Sequence, residues 1–250
     1  MWAFPSGCDE FNVSSRLYFK LDLAPSREAV LHFFEQIRKA FPRMHHLRRR
    51  EDSGVLLEEH SDDDGAERRT VRLDPNALKL NYENTPSREA YAKFANAVLG
   101  QAPYDLSLSD LDFDYLDVVF TFDLEFRGNH DELVADALFN DHPFANVLAV
   151  AKAKPIDCQP FFGVALNDDC SEQAYLEIKS RTSTFEVRTG EFEPALLSVY
   201  LTVRRYWDVG SPGELQAVHK RLLATAEALA AERVVPQIVQ RLATAIASRG

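Results

Sequence analysis

The chain has 250 residues, 46% hydrophobic and 27% charged, the values of an ordinary globular protein with room for one large domain or two small ones. Its net charge of -11 argues against general nucleic-acid binding, which needs clustered Lys and Arg to displace phosphate counterions. Three cysteines (Cys8, Cys158, Cys170) with no CxxC indicate neither a disulfide framework nor a zinc knuckle, and no stretch reaches the roughly eighteen apolar residues of a membrane span. A soluble, unprocessed protein of the reducing cytoplasm is the expectation, since Met1-Trp2-Ala3-Phe4-Pro5 lacks a basic region followed by an apolar run.

From Arg16 to Leu23, Leu17, Phe19 and Leu21 alternate with Arg16, Tyr18, Lys20 and Asp22, the period of a half-buried strand. From Ser26 the spacing changes. Val30, Phe33, Phe34, Ile37 and Phe41 form one apolar helical stripe that Pro42 terminates. Strands are predicted at Met44 to Arg50, Val55 to His60, Arg68 to Leu73 and Leu78 to Tyr82. Their separators, Asp52-Ser53-Gly54, Asp62-Asp63-Asp64-Gly65 and Asp74-Pro75-Asn76, carry the residues that turns require. A helix from Pro86 to Leu99 buries Tyr91, Phe94, Ala95 and Val98, with Thr85 as its N-cap. Its start, Pro86-Ser87-Arg88-Glu89-Ala90, is the same string as Pro25-Ser26-Arg27-Glu28-Ala29, although capping and the helix dipole select such residues at any helix start.

Gly100 to Asp112 reads as a connector. Beyond it a long strand spans Tyr115 to Phe126, and Asn129 with Glu132 begins a helix carrying Leu133, Val134, Ala137 and Leu138. Further strands are predicted at about Val147 to Val150, Phe161 to Leu166, Ala174 to Lys179, Phe185 to Arg188 and Leu196 to Trp207. Ser211 caps a final helix whose stripe runs through Leu215, Val218, Leu222, Ala226, Leu229, Ile238, Val239 and Leu242. Pro236 should kink or split it near Val235.

Phe19-Lys20-Leu21-Asp22-Leu23 is echoed by Phe120-Thr121-Phe122-Asp123-Leu124, and each copy runs into a helix. Each half also closes on a strand, a Ser/Thr-Pro helix start with a Glu, and a second helix. The expected fold is α+β: two pseudo-repeated halves, 14–100 and 113–250, each an antiparallel sheet with helices on one face, the second ending in a long helix. Strand, helix, four strands and helix, given twice, resembles the TATA-binding-protein-like fold, in which two such halves form a curved antiparallel sheet backed by helices. The acidic balance departs from the basic saddle that DNA binding needs in that family, so the resemblance implies the fold and not the activity. The second half is also loosely similar to lipid-binding helix-grip domains.

Glu58, His60 and Asp62 share a strand face and offer a carboxylate-imidazole metal set. Cross-strand charge pairing with Arg48, Arg49 and Arg50 on one side and Arg68, Arg69 and Arg72 on the other is the stronger reading, so no metal is expected. His45 and His46 point to opposite faces of any strand. His142, after Asp141, and Cys158, which lacks a nearby histidine and would have to recruit a distant one such as His219, lack the context that catalysis requires. The favoured recognition element is Arg204, Arg205, Tyr206 and Trp207. Arg204 and Tyr206 share one face and Arg205 and Trp207 the other, mixing cations and rings that suit an anionic or planar partner. If the sheet is already covered, surplus apolar surface on the last helix would form a dimer.

No nucleophile elbow, phosphate loop, metal-ligand spacing or dinucleotide fingerprint occurs. The expected function is a non-enzymatic binding or protein-interaction module, with a protein partner or self-association and no cofactor. The alternative is a small-molecule-binding protein or hydrolase with a pocket between the sheet and the C-terminal helix.

Overall fold

The computed structural model describes residues 2–4, 7–49, 54–60, 66–148, 150–207 and 214–249. Among these, nine strands form one antiparallel sheet: β1 (Glu10–Phe19), β2 (Met44–Arg49), β3 (Val55–Glu59), β4 (Arg68–Asp74), β5 (Ala77–Glu83), β6 (Phe113–Phe126), β7 (Phe161–Ala165), β8 (Glu172–Lys179) and β9 (Ala195–Tyr206). Their order is β2-β3-β4-β5-β1-β6-β9-β8-β7. The sheet is continuous because β1 and β6, the first strands of the two expected halves, pair along nearly their whole lengths, Phe11 opposite Phe122 and Leu17 opposite Leu116. The α+β class is as expected.

Strand alternation divides the sheet into two faces. Phe11, Val13, Leu17, Phe120, Phe122, Val199 and Val203 point to the side covered by α1 (Arg27–Ala40), α2 (Arg88–Asp105) and α6 (Leu215–Leu229), where one core joins strands and helices. Asn12, Ser14, Arg16 and Tyr18 turn the other way and stay half-buried. The predicted start of β1 was late because Ser15 occupies an apolar-face position and hides the alternation upstream. Leu21, expected inside the strand, is 81% exposed beyond its end.

The second half departs from the expected order. Residues around Phe185 to Arg188 form helix α5 (Thr184–Thr189) and not a strand, because Ser183 and Glu186 make a reciprocal capping box and Gly190 closes the turn at φ 77°. Around Val147 to Val150 the chain forms one turn, α4 (Ala145–Leu148), entered through the bonds Ala145 N–H to His142 C=O and Asn146 N–H to Pro143 C=O. Three strands therefore follow α3 (His130–Phe139) where five were predicted, and β6 runs through its copy of the echoed string to Phe126 while β1 stops at Phe19.

Helix α2 is capped by Ser87, whose side chain accepts from Ala90 N–H, and not by Thr85, which is buried. Ser87→Ala should lower stability by about 1 kcal/mol, read from the urea midpoint. The helix also runs past its predicted end, through Gly100 to Asp105, because Leu99 and Ala102 are both fully buried. Pro236 neither breaks nor ends the last helix. It lies in a π-helical stretch, Ala230–Val239, that links α6 to α7 (Gln240–Ala247), so the proline's missing donor and its ring are absorbed by a wider turn. Val218, Leu222, Ala226, Val239 and Leu242 of the expected stripe are buried in the protein's own core, while Leu229 and Ile238 are only partly buried. The predicted cap Ser211 lies outside the described residues. The helix begins after Glu214, whose side chain makes no capping bond.

Candidate binding face

The face opposite α1, α2 and α6 carries one aromatic ring on each of five adjacent strands: Tyr18 on β1, Tyr115 on β6, Tyr206 on β9, Tyr175 on β8 and Phe161 on β7. Register makes Tyr18, Tyr115 and Tyr206 direct cross-strand neighbours. Ring centroids are 4.4 Å apart for Tyr18 and Tyr115 and 5.4 Å for Tyr115 and Tyr206, while Phe161 stacks on Tyr175 at 5.7 Å. Gly163 lets that last pair form, because a Cβ there would lie 2.9 Å from the Tyr175 ring.

Arg204 sits among these rings. Its guanidinium lies 3.9 Å from the centroid of Tyr115, 5.5 Å from Tyr175 and 5.6 Å from Tyr206. It is also held by Asp117, with Nε donating to Oδ1 at 2.7 Å and Nη2 to Oδ2 at 2.8 Å, while Nη1 donates to the Tyr206 hydroxyl at 3.1 Å. Burial pushes the Asp117 carboxyl up, against the lowering pull of Arg204. Burial also opposes the Arg204 charge, but Asp117 outweighs it and holds the guanidinium above its ordinary value. Burial pushes the Tyr115 hydroxyl up to about 12. With Arg204 neutralised in place, the face presents rings and hydroxyls rather than a free guanidinium. That chemistry suits planar groups and polypeptide better than an isolated anion.

Of the four recognition residues singled out from sequence, the structure brings Arg204 and Tyr206 into this cluster. Arg205 and Trp207 are buried on the helix side. Arg205 Nη1 bonds Ser171 Oγ, and Trp207 packs edge-on against Phe113 at 5.4 Å. Tyr18, Tyr115, Tyr175 and Asp117 were not singled out, since their convergence depends on strand register across distant parts of the chain.

The other candidates resolve separately. Glu58 pairs with Arg48 at 2.9 Å, and Glu59 with Arg69 at 2.9 Å, the latter guanidinium lying 4.5 Å from the Tyr82 centroid. These are cross-strand charge pairs. Asp62 lies outside the described residues, and no group of His, Cys, Asp and Glu among the described residues converges as a metal site. His45 and His46 do not diverge as simple alternation demands. A bulge between Met44 and His46 brings their rings to 4.3 Å. His142 Nδ1 accepts from Phe144 N–H at 3.3 Å. Burial, then Asp131 and Asp157, push the Cys158 thiol up, the opposite of an activated nucleophile.

His219 does not serve Cys158 but is buried between the sheet and its helices. It is 1% exposed, its Nε2 lies 2.9 Å from Ser15 Oγ, and Ser15 Oγ lies 2.7 Å from the Tyr91 hydroxyl. Burial alone pushes the His219 pKa down to about 4. The three side chains, on β1, α2 and α6, satisfy one another between the sheet and its helices, so the space beneath the last helix is filled there by a polar triad. A cleft of about 640 Å³ opens elsewhere, between α1 and β2, lined by Val30, Leu31, Leu47, Val55, Arg27 and Arg49.

No family model matches the chain, and no curated protein matches it. Among the described residues no helix is long and apolar enough to cross a membrane.

Proposed function

We propose that this protein is a non-enzymatic binding module that receives a polypeptide partner on the tyrosine-bearing face of its sheet, opposite α1, α2 and α6. One observation carries the reading: five adjacent strands each contribute an aromatic ring to that face, around the Arg204–Asp117 pair. Tyrosine and arginine are the residues on which interfaces concentrate binding energy, because they give large, rigid contact area with a polar end. Three free thiols support a cytoplasmic setting for this interaction.

The test is photocrosslinking in the native cell, with a benzophenone amino acid at Thr121 or Thr202 on the open face and at Lys220 on the helix layer. Adducts are expected from the two threonine positions and should vanish when Tyr18 and Tyr115 are replaced by serine. Adducts that persist in the serine variant, or that form only at Lys220, would overturn the reading. The alternative of a small-molecule site draws support from the 640 Å³ cleft beside α1, whose apolar lining and arginines suit an amphiphilic acid.

A further inference from the structure

The two edges of the sheet are built differently. Strand β2 is blunted by Arg48, Arg49, two histidines and a bulge, devices that keep an edge from pairing with another chain. Strand β7, Phe161-Phe162-Gly163-Val164-Ala165, has none of them. Every residue is exposed, including Phe161 at 60%, Phe162 at 58% and Val164 at 59%, it has no charge and no proline, and its pairing with β8 has no bulge. Leu166 N–H bonds Glu172 C=O and Ile178 N–H bonds Pro160 C=O, so the even positions of the strand face β8. Antiparallel geometry then turns the N–H and C=O of Phe161, Gly163 and Ala165 outward.

We infer that β7 is a self-pairing edge through which two copies of this chain join their sheets. An antiparallel pairing centred on Gly163 sets Phe161 opposite Ala165 of the second copy and Phe162 opposite Val164, large against small throughout, with about six backbone hydrogen bonds. Self-complementarity selects a second copy as the occupant: about Gly163 each ring meets a smaller residue of the other chain, and the uncharged β7 spares the pairing strands the repulsion that a net charge of -11 imposes elsewhere. Gly163 is already required by the Tyr175 ring in the protein's own fold, and the same residue keeps the centre of the edge flat. The two-fold axis of such a pair is perpendicular to the sheet, so the tyrosine faces of both copies lie on the same side.

The experiment is sedimentation velocity on the full chain over a concentration series up to about 100 μM. A monomer–dimer equilibrium is expected. Val164→Lys places a charge on the edge, and Ala165→Pro removes an outward N–H without removing a bond to β8. Each should weaken the dimer at least tenfold, with unchanged thermal melts at concentrations low enough that wild type and variants are all monomeric, because both residues are exposed. Leu47→Lys on the opposite edge and Tyr115→Ser on the open face should leave it intact, which separates this inference from the proposed partner site. A wild type that stays monomeric throughout, or a dimer that survives both β7 variants, would overturn it.

Discussion

Arg204→Ala should destabilise the fold by about 3 kcal/mol at neutral pH and by much less near pH 4. Asp117 is 2% exposed, so removing its bidentate partner leaves a buried carboxylate with no compensating guanidinium. Such losses run to about 3–5 kcal/mol, and the lower end applies because the Arg204 side chain is 22% exposed and part of its charge is already screened. The pH dependence follows from the carboxyl. Burial already raises the Asp117 pKa in the native protein, and loss of Arg204 raises it further. A folded-state pKa above the unfolded value penalises the fold fully above the folded pKa, and the penalty disappears as pH falls below the unfolded value near 4. Urea midpoints of wild type and variant at pH 7 and pH 4 measure this. Adding Asp117→Asn should recover part of the loss at pH 7, and an equal loss at both pH values would refute the argument.

His219 should make the native protein acid-sensitive by about 3 kcal/mol between pH 6.5 and pH 4. Its folded pKa, about 4, lies below the ordinary 6.5, with burial as the cause. The sign follows: the unfolded chain takes up a proton as pH falls through 6.5, the folded chain does not until about 4, and the stability present above 6.5 is lost across that window. His219→Asn keeps a polar group near Ser15 and removes the titration. The variant is expected to be less stable than wild type at pH 7, yet to lose about 3 kcal/mol less on acidification, as read by guanidinium unfolding at both pH values. Parallel losses in the two proteins would show that His219 is not held neutral. The triad also explains why three polar side chains tolerate full burial, since each is satisfied by another.

Much of the architecture was legible locally. Turn residues marked the hairpin between β4 and β5, the apolar stripe of α1 was plain, and the β-branched and aromatic run of β9 was recognised almost to its ends. The errors also have local causes. Ser15 interrupted an apolar face, and the capping box at Ser183 outweighed the strand propensity of Phe185 and Val187. Pro236 predicts a kink or split on the local rule for an α-helix, whereas a π-helical stretch accommodates it.

The sequence by itself determined the class of the fold, the strand that carries Arg204 and Tyr206, and the alternation separating them from Arg205 and Trp207, because period and propensity are properties of neighbouring residues. Only the tertiary structure decided which residues meet. Register between β1, β6 and β9 aligns Tyr18, Tyr115 and Tyr206, and sets Asp117 opposite Arg204. The packing of α2 and α6 on β1 joins Ser15, Tyr91 and His219. Sheet order leaves β7 at an open edge while β2 closes the other with charge. Contacts between residues a hundred or more positions apart depend on chain closure and register, which no local pattern encodes.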